Sequence, residues 1–139
     1  MKRLLPLLFL LTLPMGAWAD ATLGVTLSGV RSATGNLRVS VYREQDSFRK
    51  EAQAFRVQSV PAREGDVTLD FAALPPSRYA VMGYHDENAN DKLDLRLGMF
   101  PLEGYGLSNN PKVFGPPAFA DSAFDLPASG SVITLKLAY

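Results

Sequence analysis

From His85 to Asp94 the chain reads His-Asp-Glu-Asn-Ala-Asn-Asp-Lys-Leu-Asp, with oxygen-bearing side chains recurring at every second position from Asp86 except Lys92. This spacing lets a short loop surround a hard cation: a calcium loop takes side chains from positions 1, 3, 5 and 9 and a backbone carbonyl from position 7. Here those places hold Asp86, Asn88, Asn90, Asp94 and Lys92. Leu97 stands at position 12, so the bidentate Glu of an EF-hand is missing, and Glu103 in the following loop is the residue able to take that place. Asp91 occupies position 6, where calcium loops carry Gly, and a left-handed Asp is required for the turn. The same residues also suit a set of Asx turns, in which Asp and Asn side chains accept nearby backbone amides without a metal. With two or three carboxylates, a calcium site here belongs to the weak extracellular range of roughly 0.1 to 1 mM.

A second chemistry starts from His85, the only histidine, which adjoins Asp86 where a general base can sit. With Asp86 and Glu103 as paired carboxylates, it makes a hydrolase the alternative expectation. Ser108 and Ser122 lack a Gly-x-Ser-x-Gly elbow, and one His with no Cys cannot assemble the usual zinc ligands. A third class is a binding module that presents Tyr105, Phe114 and Phe119 to a protein, peptide or glycan.

The elements that must position these residues read as strands. Leu23, Val25 and Leu27, then Leu37, Val39 and Val41, then Val67, Leu69 and Phe71, alternate with polar or small residues. Phe55 to Ser59, Tyr79 to His85 and Val132 to Tyr139 complete six strands, and Asp46 to Gln53 is the one plausible helical turn, with Asp46 as its cap. Such a pattern specifies an all-β fold, an antiparallel β-sandwich of the immunoglobulin-like or prealbumin-like kind. Leu74-Pro75-Pro76-Ser77-Arg78-Tyr79, a rigid turn feeding a strand, fits it. An outer-membrane barrel fails for want of strands, since it takes about eight longer ones.

Between Asp86 and Gly130, about 45 residues run without a clear strand, longer than loops in compact domains usually are. Phe100, Tyr105, Phe114, Phe119 and Phe124 mark this segment as an ordered, aromatic and proline-rich cap, its rings packed inward or presented to a ligand.

Residues 1–19 combine Lys2 and Arg3, an apolar run from Leu4 to Leu13, and Ala17-Trp18-Ala19, the layout of a secretory signal peptide. The run is too short for a bilayer span, so no membrane span is expected after cleavage, and one domain over 20–139 is expected in the periplasm or outside the cell. There is no Cys, so no disulfide supports it. Lys and Arg number 14 against 14 Asp and Glu, and losing Lys2 and Arg3 leaves about −2. No basic stripe is present, which argues against nucleic acid.

Three stretches, HDENANDKLD from His85, GMFPLEGYGLSNN from Gly98 and FGPPAFADSAF from Phe114, resemble the bacterial family known as domain of unknown function 2141. Its members carry His-Asp-x-Asn-x-Asn, Pro-x-Glu-Gly-Tyr-Gly-x-Ser-Asn and Phe-Gly-Pro-Pro-x-Phe in this order. The likeness spans most of the chain after residue 19. It implies an exported β-rich domain and no known reaction; Asp91 departs from the Gly that many such sequences carry.

Overall fold

The computed structural model describes residues 20–113 and 115–139; the expected leader at 1–19 and Phe114 lie outside the described residues. The alternating segments form the strands they predict. β1 (Ala21–Val30) and β2 (Asn36–Tyr42) are followed by one 3-10 turn (Glu51–Gln53), then β3 (Arg56–Pro61), β4 (Gly65–Leu74) and β5 (Ser77–Asp86). Next come β6 (Leu95–Arg96), β7 (Phe100–Pro101), β8 (Tyr105–Leu107), a short helix α1 (Phe119–Ser122), β9 (Phe124–Leu126) and β10 (Ser131–Lys136).

Two principal sheets result, of strand order β10-β1-β4 and β3-β2-β5-β8, with β9 also pairing β5 and a separate hairpin of β6 and β7. The architecture is mostly β with several antiparallel pairings and is not a barrel. Period-two alternation sends one face of each strand into a shared core. Leu23, Val25 and Leu27 of β1 meet Leu37, Val39 and Val41 of β2, with Val67, Leu69 and Phe71 of β4, all essentially sealed from solvent. Each such side chain contributes roughly 1.5–3 kcal/mol on burial, so the core alone sets strand register. Gly83 of β5 faces Leu27 so closely that a side chain there would collide with it.

Three expectations are corrected. β10 runs parallel to β1, from Leu23 opposite Ser131 to Ser28 opposite Lys136, so that sheet is mixed rather than antiparallel. Alternation reports which face is buried and carries no information on strand direction. The helical turn from Asp46 shrinks to Glu51–Gln53; Asp46 lies in a preceding turn, and Lys50 at the start makes no side-chain cap. The segment after Asp86 is not strandless: β8 and β9 take consecutive places along one edge of β5, Met82 to Tyr84 for β8 and Ser77 to Tyr79 for β9. Ser108 fills the gap between them, its amide donating to the Val81 carbonyl and its hydroxyl accepting the Val81 amide, both at 2.9 Å. Strands of three residues are too short to show a period.

The outer edge of β10 is closed by a side chain. Asn110 donates its amide to the Thr134 carbonyl at 3.0 Å and accepts the Lys136 amide at 2.8 Å, as a neighbouring strand would. An open edge invites pairing with another chain. Asn110→Ala is therefore expected to cost about 1–2 kcal/mol in urea unfolding and to make the protein more prone to self-association by light scattering.

Candidate functional site

Asp86 ends β5 and is completely buried, so its carboxylate must be given donors. The chain turns back to supply them: the Asn90 amide reaches Oδ1 at 3.1 Å and the Asp91 amide reaches Oδ2 at 2.8 Å. This return requires Asp91 in the left-handed region, at φ 60°, as the missing Gly requires; Ala89 is left-handed too, at φ 53°. Asn88 accepts the Asn90 amide at 3.3 Å and Asn90 accepts the Lys92 amide at 3.0 Å, two Asx turns in series. Their side-chain amides then converge on Asp94, Asn88 on Oδ2 at 2.7 Å and Asn90 on Oδ1 at 2.8 Å.

Glu103 comes in from the cap, also buried, and its two oxygens accept the amides of Glu87 at 2.7 Å and Asp94 at 3.1 Å. The six residues singled out for calcium, Asp86, Asn88, Asn90, Lys92, Asp94 and Glu103, thus belong to one knot, with Lys92 joined through its backbone amide. Among the described residues no three His, Cys, Asp or Glu side chains gather as a metal-holding group. Gly35, at φ 72°, brings the β1–β2 turn onto the knot: a side chain there would strike the carbonyl oxygens of Asp86 and Glu87.

His85 does not stand at an open mouth. It is fully buried, Nε2–H donates to the Thr34 carbonyl at 2.6 Å, and Nδ1 accepts the Tyr139 hydroxyl at 2.8 Å. Tyr139 in turn accepts the Arg31 amide at 3.1 Å and carries the Arg31 guanidinium 4.4 Å above its ring. Both imidazole nitrogens are committed to holding the chain's last residue against the β1–β2 turn. The hydrolase expectation for His85 with Asp86 and Glu103 finds no support: all three are buried, and none lines the groove described next.

The cavity lies elsewhere, on the face of the β2-β5-β8 sheet turned away from the core. A groove of about 780 Å³ runs between that face and the cap. Its floor takes Ser40, Tyr42, Met82, Tyr84, Tyr105 and Leu107, and the β6–β7 hairpin supplies Leu95, Met99 and Phe100 as a wall. Phe119 does not line it; that ring packs edge-on against Phe48 at 5.8 Å, and Phe48 against Tyr42 at 5.6 Å. Arg38 binds Glu51, reaches Asp91 at 3.5 Å, and Glu51 accepts the Tyr84 hydroxyl at 3.3 Å, so one polar chain links the knot to the groove floor. Burial, then the Glu51 charge, pushes the Tyr84 phenol up, and burial raises Tyr42 to about 12, so both hydroxyls stay neutral donors. Sequence reasoning missed this floor; Ser40 with Tyr42 and Met82 with Tyr84, on the strand faces opposite the core, are the one signal that pointed to it.

Hydrogen bonds from Asn90 and Asn88 hold the Asp94 carboxyl below the usual carboxylate range, whereas burial and then the Asp94 charge raise Glu103. A lowered carboxylate stabilises the fold above its unfolded pKa, and that contribution is lost as pH falls through the folded value; Glu103 behaves oppositely, favouring the fold at low pH. Asp94→Asn is therefore expected to flatten the fall of Tm with acidification below about pH 4, measured in chelator.

Among the described residues no helix is long and apolar enough to cross a membrane. Neither a curated protein nor a solved structure matches the chain. A family model described as an uncharacterized protein conserved in bacteria matches residues 25–134, from β1 into β10, and so takes in both the knot and the groove. The chain belongs to the DUF2141 family.

Proposed function

We propose that the protein is an exported binding module, acting in the periplasm or outside the cell, that holds its ligand in the groove between the β2-β5-β8 sheet and the cap. The observation that carries this reading is the groove itself: about 780 Å³, floored by tyrosines and walled by apolar side chains, within the roughly 300–1,000 Å³ of small-molecule sites. The scaffold is a β-sandwich of immunoglobulin-like or prealbumin-like type. Two features support that: two sheets share one core, and the Tyr79 hydroxyl donates to the Pro75 carbonyl at 2.5 Å, a tyrosine corner. Nile red, an uncharged apolar dye, is expected to bind saturably at one per chain. Leu95→Asp with Phe100→Asp should weaken it at least tenfold while leaving Tm nearly unchanged, since both side chains are about half exposed. Leu97→Asp, off the groove and 82% exposed, should leave binding intact. Dye binding unaffected by the groove pair overturns the reading.

A second reading concerns calcium, and the convergence of Asn88 and Asn90 on the Asp94 carboxylate favours it. Each Asn Oδ1 keeps a second lone pair beside the backbone amide it accepts, and with the Asp86 and Asp94 carboxylates and the Lys92 carbonyl these oxygens make up a donor set. Calcium then fastens the knot and stabilises the fold by mass action. Stepping calcium to a few millimolar is expected to raise Tm selectively over magnesium, and Asp86→Ala should abolish the rise. An equal Tm in chelator and calcium leaves the knot as Asx turns alone.

A further inference from the structure

Four charged side chains line the groove, and they are not equivalent. Glu51 and Asp91 are both held by Arg38, whereas Arg49 and Lys92 form no ion pair among the described residues. One guanidinium answers both acids, so with Arg38 the groove's charged groups sum to about +1, and Arg49 and Lys92 are the lining cations outside any ion pair among the described residues. Arg49 also stands in the left-handed region at φ 65°, a conformation that costs of order 1 kcal/mol for such a residue and that concentrates at ligand clamps.

The rest of the lining is apolar. Met82 and Met99 bring unbranched, polarisable thioethers that adapt to a flexible chain. Beside the groove the hairpin leaves Leu97, Met99 and Leu102 82%, 69% and 60% exposed, an apolar ramp that a sugar would leave wet. A peptide adding as a strand at the start of β8 finds the Tyr105 backbone taken, because Tyr105 and Ala138 already exchange both amide hydrogen bonds, at 3.0 and 2.9 Å.

Resting on the groove reading above, we infer that the ligand is a single-chain amphiphile with an acidic head, a free fatty acid being its simplest member. The alkyl chain lies along Met82, Leu95, Met99 and Phe100, and its carboxylate pairs with Arg49 and Lys92. In a half-buried groove such charge-assisted contacts count for more than at an open surface.

The test is isothermal titration of the purified protein with dodecanoate and with 1-dodecanol, which share a chain and differ in the head. Dodecanoate is expected to bind about tenfold tighter or more, the factor that hydrogen bonds to a charged group supply. In Arg49→Asn with Lys92→Gln the two affinities should converge, with Nile red binding and Tm kept. Both cations are exposed, and Asn tolerates the left-handed backbone, so the variant folds. Equal affinities in the unmodified protein, or a preference that survives the double variant, overturn the acidic head and leave the groove standing. Failure of both compounds while Nile red binds overturns the alkyl chain as ligand class; failure of all three takes down the groove reading itself.

Discussion

A carboxylate sealed from solvent at the end of the central strand has to be answered by hydrogen-bond donors, and the upper end of this molecule is organised around answering Asp86. The amides of Asn90 and Asp91 can reach it only if the chain reverses at once, which places two non-glycine residues in left-handed backbone. Reversal leaves the Glu87 and Asp94 amides facing inward, and Glu103 accepts both. The neighbouring His85 pulls in Thr34 and Tyr139 by the same logic. Three segments distant in sequence thereby meet at one strand end, each fixed there by hydrogen bonds.

That arrangement reaches the groove through Arg38. Its guanidinium touches Asp91 in the knot and Glu51 in the 3-10 turn, and Glu51 takes the Tyr84 hydroxyl on the floor. Whatever fixes the knot therefore also fixes the far wall, because the β6–β7 hairpin starts directly after Asp94 and is tied back where the Leu102 amide donates to the Asp94 carbonyl at 2.8 Å. Knot and groove are two ends of one polar chain.

Much of this was legible in the chain before any coordinates. The six longer strands lie where the sequence pattern puts them, and in β1, β2 and β4 the buried face fixes the register. The grouping of Asp86, Asn88, Asn90 and Asp94 was legible from spacing and from the left-handed turn demanded of Asp91, whereas spacing alone did not bring Glu103 to them. β8 and β9 were not, since three residues leaning on a long partner carry no period. Nor was the burial of His85: a lone His beside an Asp reads alike as a base or as a brace, and only the positions of Thr34 and Tyr139 decide. The groove escaped because its lining comes from strand faces and hairpin residues far apart in sequence, none of which forms a motif.

The parallel pairing of β1 with β10 governs the order in which the molecule can assemble. Leu23 sits opposite Ser131, so the first strand of the domain gains its second neighbour from the last. Closing so long a loop is entropically slow, and until then β1 has only β4 as a hydrogen-bonded neighbour. The core stays incomplete until β10 arrives, since Leu135 belongs to it and Ile133 packs against it. The same arrival brings in Tyr139, whose hydroxyl closes on His85. Folding of this domain is therefore limited by one long-range pairing, that of β1 with β10.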